Sequence, residues 1–189
     1  MIFETDILPA LNILISNGII LYPTDTIWGF GCDATSQEAV EKIFRIKSRE
    51  ENKSLLVLVN SEQMLERYVH DIPGIAYELI SVSESPLTVI YPKGKNLAKG
   101  VCSNDGSVGI RICRDEFCNQ LISRFRKPIV STSANFSGKP SPRFFGDIEK
   151  ELISSVDYTV KYRQEDRQMQ TASPVIKLNS DGTIKIIRR

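Results

Sequence analysis

IVSTSANFSGKPSP, residues 129–142, is the stretch on which the reading of the fold turns. It opens as an apolar pair, Ile129-Val130, directly after Lys127-Pro128, the way a buried strand enters from a turn. Then it changes character. Ser131, Thr132, Ser133, Asn135, Ser137 and Ser141 are small and polar, while Gly138, Pro140 and Pro142 break any regular ladder. A strand that dissolves into hydroxyls, an amide and a glycine suits an oxyanion or a sugar. In α/β sheets, ligands sit outside the carboxyl ends of strands. The plain alternative is a polar turn closed by its own side-chain to backbone bonds.

Working outward, the same change occurs at YPTDT, 22–26, where the apolar run Ile19 to Tyr22 stops at Pro23 and becomes Thr24, Asp25 and Thr26. Before it, Asp6 reads as the cap of a helix over 7–17, with Ile7, Leu8, Leu11, Leu14 and Ile15 as its apolar face and Gly18 as its stop. After it, Gly29 and Gly31 in an apolar run imply closely packed backbone. Thr35 with Glu38 reads as a capping box. The helix behind it carries Val40, Ile43, Phe44 and then Lys47 on one stripe. Strands are expected over 55–59, 87–91, 108–112 and 157–160, helices from Ser61, Pro73 and Asp115 and near 146–155, and a long loop over 92–107. Arg111 faces away from Val108, Ile110 and Ile112 by strand alternation. Two last strands flank the turn signal Ser180-Asp181-Gly182. Residues 161–173 have no apolar periodicity, and a loop that long is usually functional or disordered. We expect it to act as a lid, with Arg163 and Arg167 exposed. Intermixed helices and strands with a terminal hairpin predict one α/β domain, 1–189, built on a mixed sheet.

Composition narrows the function classes. The 189 residues suit one domain, and 41% apolar with 25% charged residues is ordinary for a globular chain. A net charge of +1 advertises no polyanionic partner through the overall field, though local basic clusters still can. Four cysteines without a C-x-x-C pair, and the lone His70, give no metal-ligand set. No basic segment followed by an apolar core marks a signal peptide, and no apolar run reaches membrane-spanning length. A cytoplasmic enzyme or binding protein is the expectation.

Four stretches combine into a site: the two hydroxyl loops, the basic set Lys47, Arg49 and Lys53, and Arg111 with Ser107 just before its strand. Arginine offers forked donors to phosphate or carboxylate and lysine a point charge. No Walker-type loop and no G-x-G-x-x-G is present. The residues alone reach a phosphate-rich small molecule, with a second polar ligand beside it.

The strings YPTDTIWGFGCDA, KIFRIKSREENKSLLVLV, SPLTVIY, VGIRI and STSANFSGKPSP, in that order, resemble the YrdC-like threonylcarbamoyl-AMP synthase family over about residues 20–180. The resemblance implies an open twisted mixed sheet with flanking helices and a concave basic groove, in a short single-domain form. It implies synthesis of threonylcarbamoyl-AMP and pyrophosphate from L-threonine, bicarbonate and ATP, for threonylcarbamoyladenosine in tRNA. By position, Thr26, Arg111, Ser131 and Ser173 would hold threonine. Lys47, Arg49, Lys53, Ser107, Ser133, Asn135, Ser141 and Arg188 would surround ATP, with Lys47 and Arg49 as the catalytic pair. Mg2+ is expected with ATP, on no protein metal site. Expected partners are downstream threonylcarbamoyl transferase proteins and tRNA or double-stranded RNA in the groove, with no membrane. Ser54 and Ser173-Pro174 depart from the family pattern. The alternatives are an RNA-binding module of the same fold, which would use Lys93, Lys95, Lys99, Arg124, Arg126 and Lys127, and a nucleotide-binding relative with another substrate. Against the RNA module, aromatic residues barely interleave with those basic ones.

Overall fold

A computed structural model describes residues 3–48 and 54–189. Arg49 and Lys53 lie outside the described residues. In chain order the elements are α1 (Glu4–Ile15), β1 (Ile20–Tyr22), β2 (Gly29–Asp33), α2 (Gln37–Lys47), β3 (Leu56–Val59), α3 (Glu62–Leu65), α4 (Gly74–Val82), β4 (Thr88–Tyr91) and β5 (Val108–Ile112). There follow α5 (Glu116–Phe125), β6 (Ile129–Ser133), a 3₁₀ turn (Phe145–Asp147), α6 (Lys150–Ser154), β7 (Tyr158–Thr159), β8 (Val175–Leu178) and β9 (Ile184–Arg188). The strands form one open, mixed sheet in the order β7-β1-β2-β6-β3-β5-β4-β8-β9.

That order explains why two distant hydroxyl loops meet. β1 and β6 each pair antiparallel with β2, one on either side of it, so they run in the same direction. Their carboxyl ends, where Thr24–Thr26 and Ser133–Asn135 begin, therefore open at the same end of the sheet. The register sets Gly29 opposite Ser133 and Gly31 opposite Ser131. A Cβ on Gly31 would stand 2.6 Å from Tyr22 Cε1, and one on Gly29 3.0 Å from the Thr132 carbonyl oxygen. Only glycine lets β2 lie this close to both neighbours.

The helices follow their apolar stripes. On α5, Phe117, Cys118, Leu121, Ile122 and Phe125 are buried, and Asp115 caps the helix by accepting from the Cys118 N–H at 2.9 Å. On α2, Ala39, Val40, Ile43, Phe44 and also Lys47 are buried. Burying each large aliphatic or aromatic side chain contributes roughly 1.5–3 kcal/mol.

Several local expectations give way to longer-range demands. α1 begins at Glu4 rather than after Asp6, and its buried face is Ile7, Ala10 and Leu14, leaving Leu8 and Ile15 exposed. Asp6 is no cap. It is buried and accepts from Tyr158 Oη, the Lys161 N–H and the Tyr162 N–H, anchoring a segment more than 150 residues away. Thr35 is committed to Asp33, which accepts from its N–H and hydroxyl at 2.8 and 2.6 Å, so Ser36 caps α2 instead. The helix from Ser61 stops at Leu65, and the one expected near 146–155 divides into the 3₁₀ turn and α6.

Residues 161–173 form a strap tied at both ends. Arg163 donates to the Thr24 carbonyl at 3.1 Å and pairs with Asp115 at 3.4 Å. The Gln170 N–H donates to the Arg143 carbonyl at 3.0 Å. β7 and β8 stand seven positions apart in the sheet, roughly 34 Å at about 4.8 Å per strand. A segment of this length reaches at most roughly 50 Å, so the strap can cross the sheet with about a third of its reach to spare.

Candidate active site

Beneath the strap lies a cavity of about 180 Å³. Thr26 to Trp28 from the loop before β2 and Gly29 at its start line it, together with Ser131, Thr132 and Ser133 of β6, Arg111 of β5, Ser54 and Leu56 at the start of β3, Ser141, Ala172, Ser173 and Arg188. All four residues assigned from the sequence to threonine are on this wall: Thr26, Arg111, Ser131 and Ser173. So are three of those assigned to ATP: Ser133, Ser141 and Arg188.

Arg111 is the floor's fixed charge, with only 4% of its side chain exposed. Its Nη2 lies 2.8 Å from Asp25 Oδ1, itself 7% exposed, and donates to Thr26 Oγ1 at 3.2 Å. Its Nη1 donates to Ser173 Oγ at 3.3 Å, and its Nε has no acceptor among the described residues. Desolvating a guanidinium is costly unless it is paired, and Asp25 supplies that pairing. Asp25 Oδ2 also accepts from the Arg114 N–H at 3.3 Å, which holds the hydroxyl loop against the end of β5. Arg188 donates from Nε and Nη2 to the Ser173 carbonyl at 3.0 and 2.7 Å, fixing the far end of the strap from the edge strand β9.

Lys47 ties the second hydroxyl loop. Its ammonium reaches the carbonyl oxygens of Ser133 and, at 2.7 Å, Asn135, and lies 5.6 Å from the Phe30 ring centroid. Asn135 donates from Nδ2 to the carbonyls of Phe136 and Lys139 at 3.0 and 2.6 Å, and its buried Oδ1 has no donor among the described residues. Ser107 is placed elsewhere: it is buried, and its hydroxyl donates to Asp105 at 2.6 Å in a tight turn that lowers the Asp105 pKa to about 2.

Burial pushes the Tyr22 phenol and the Cys118 thiol well above their ordinary values. Among the described residues, no three His, Cys, Asp or Glu side chains are placed to hold a metal ion. What the wall offers is donors, a fixed guanidinium and shape.

Sequence reading passed over Thr88 and Trp28. Thr88 lies in an apolar strand, where its type reads simply as β-propensity, yet it is buried and bonded to Ser173 Oγ at 2.7 Å. Trp28 is the chain's single tryptophan and packs on Phe145 with ring centroids 4.9 Å apart. Its position right after a hydroxyl loop was the available signal. Outside the basic residues weighed in the sequence, Lys139 lies over Phe136, and Arg143 and Arg167 both lie over Phe144.

Comparison with known proteins agrees with this geometry. The Sua5/YciO/YrdC family, described as telomere recombination, matches residues 12–189. The chain belongs to that family. The threonylcarbamoyl-AMP synthase of Psychromonas ingrahamii is 36% identical over 137 residues, covering 71% of this chain and 72% of its relative. A putative threonylcarbamoyl-AMP synthase of Methanocaldococcus jannaschii is 32% identical over 182 residues, 95% of this chain and 84% of that one. The solved structure of P. abyssi Sua5 complexed with L-threonine superposes with a TM-score of 0.82 at 27% identity, covering 93% of this chain but 51% of that one. This chain thus spans about half the length of that Sua5.

Proposed function

We propose that this chain is an L-threonylcarbamoyladenylate synthase, a nucleotidyltransferase that joins L-threonine, bicarbonate and ATP into threonylcarbamoyl-AMP and pyrophosphate for tRNA modification. The observation that carries the reading is the cavity: a donor-lined, amino-acid-sized space around a buried arginine, next to a lysine-tied loop, in a family whose named relatives make this compound. At about 180 Å³ it suits threonine and is too small to take ATP as well. The nucleotide belongs on the adjoining side, along Ser133, Asn135, Ser141 and Lys47, with Arg49 and Lys53 as further phosphate donors.

The chemistry needs what the wall provides. The threonine nitrogen bonds to the carbon of bicarbonate, and water leaves. A carbamate oxygen then attacks the α-phosphorus of ATP, the bond to the bridging oxygen breaks, and pyrophosphate departs. No protein nucleophile enters. The chain's work is to hold two anions in line and to neutralise charge developing on the phosphates. Arg111 and Ser173 take the carboxylate end of threonine, and the phosphates are assigned to Lys47 and Arg49. Magnesium would travel on the nucleotide phosphates, since the wall offers hydroxyls and guanidiniums rather than a carboxylate cage.

A cytoplasmic setting fits four free cysteines, and no helix among the described residues is long and apolar enough to cross a membrane. Contact with tRNA is proposed at the rim, where Arg143, Phe144 and Arg167 stack beside the site. The threonylcarbamoyl transferase proteins would receive the product. The test is direct: incubate the protein with ATP, bicarbonate and single amino acids, and follow pyrophosphate and the acyl-adenylate. Release with threonine well above that with serine, valine or no amino acid is expected. Release that ignores the amino acid would overturn the assignment.

A further inference from the structure

We propose that Thr88, on β4, is a positioning residue that fixes the direction of the Ser173 hydroxyl proton, and through it the carboxylate end of the amino-acid pocket. The inference rests on the functional reading above and deepens it. It follows from counting protons.

Thr88 Oγ1 and Ser173 Oγ stand 2.7 Å apart, and distance alone leaves either as the donor. Their surroundings decide. Arg111 Nη1 lies 3.3 Å from the same Ser173 oxygen, and a guanidinium only donates, so one Ser173 lone pair is already taken. Thr88 is 1% exposed, and among the described residues its hydroxyl has no partner other than Ser173. Were Ser173 to donate to Thr88, the Thr88 proton would be buried without an acceptor, the costly arrangement. Thr88 therefore donates, and Ser173 Oγ accepts twice. The remaining Ser173 proton has one way to point, into the cavity that Ser173 lines. The Thr88 N–H also donates to the Pro174 carbonyl at 3.0 Å, so Thr88 holds both the backbone and the hydroxyl of this segment.

On the facing loop, Thr24 Oγ1 donates to the Ile27 carbonyl at 2.9 Å and accepts the Thr26 N–H at 3.1 Å, and Thr26 Oγ1 receives Arg111 Nη2 at 3.2 Å. With Arg111 and Ser173 both presenting donors, the carboxylate end of a free amino acid belongs toward Ser173.

The experiment is a double-variant cycle on threonine-dependent pyrophosphate release, with Thr88→Val, Thr88→Ser, Ser173→Ala and the Thr88→Val, Ser173→Ala pair. Thr88→Val should raise the KM for threonine about tenfold, the scale of one misdirected hydrogen bond to a charged group. Its kcat should stay within about twofold and its KM for ATP unchanged. Thr88→Ser keeps the donor and should restore the threonine KM. The pair should match Ser173→Ala alone, because Thr88 acts through Ser173. Thr88→Ala serves in place of valine if valine is not accommodated. A wild-type threonine KM in Thr88→Val, equal losses for both substrates, or additivity in the pair overturns the proposal. Wild-type protein that releases no pyrophosphate with any amino acid overturns the functional reading itself.

Discussion

At the scale of single residues, the site is built from side chains whose first task is structural. Lys47 is buried at the end of α2, and its ammonium satisfies the carbonyls that end β6. Removing it should loosen the Ser133–Asn135 loop and take a positive charge from the phosphate side together. We expect Lys47→Ala to lower threonine-dependent pyrophosphate release by tens to hundreds of times, equivalent to about 2–4 kcal/mol in the transition state. Lys47→Ala with Arg49→Ala should abolish release, and a folded double variant that turns over normally would refute the assignment. The two loops should also separate by ligand. Ser133→Ala and Asn135→Ala should weaken ATP more than threonine, and Thr26→Ala the reverse; calorimetry showing equal losses would mean the loops are not divided this way. Residues such as Ser131, Ser133 and Arg111 were legible in the sequence because polar groups at apolar strand ends stand out against their surroundings. Asp6 and Thr88 were not. A cap and a three-donor anchor look alike in one dimension, and a threonine in a strand carries no mark of the hydroxyl it will meet 85 residues on.

At the scale of elements, the strap is the part whose movement can be tested. It crosses the sheet and roofs a cavity of about 180 Å³, sized for an amino acid and too small for ATP. Ordinary proteolysis can read that. Both arginines of the strap looked open in the sequence, but Arg163 is clamped by Thr24 and Asp115, whereas Arg167 is 62% exposed, with a loose 3.7 Å pair to Glu165 and one face over the Phe144 ring. Trypsin should therefore cut first after Arg167. ATP with threonine should slow that cut far more than either alone, because closure excludes water only when both ligands are seated. Cleavage after Arg167 that ignores both ligands would leave the strap a fixed roof. The strand order itself was beyond sequence reading. Periodicity shows that strands exist, but β7 and β8, consecutive in the chain, sit at nearly opposite ends of the sheet because the packing of everything between them requires it.

At the scale of the whole molecule, ionisable groups fall into two sets with opposite effects on stability. Asp105 is held down to about 2, first by the Ser107 hydroxyl and then by its N–H, and Asp147, Asp166 and Asp181 are lowered by similar local donors. Their contributions are fully present above the unfolded carboxylate value, about 3.9, and fade as pH falls through the lowered folded values. All four lie near the surface, where solvent screens them, so the acid limb should be shallow. The other set is buried: Cys32, Cys118, Tyr22 and Tyr91, each raised mainly by loss of solvation. In the unfolded chain these groups release protons near 8.5 for cysteine and 10 for tyrosine, while the folded protein keeps them. The unfolded state then binds fewer protons, and stability falls as pH rises. Each such group removes up to about 1.4 kcal/mol per pH unit above its unfolded value. Against a total of roughly 5–15 kcal/mol, four of them acting together suffice to unfold the protein within about two units above pH 10. Urea midpoints should thus be flat from about pH 5 to 8, decline gently below 4 and collapse steeply above 9. Cys32→Ala should flatten the alkaline limb without altering the acid one. An acid limb as steep as the alkaline one, or an alkaline limb unchanged in that variant, would place the controlling groups elsewhere.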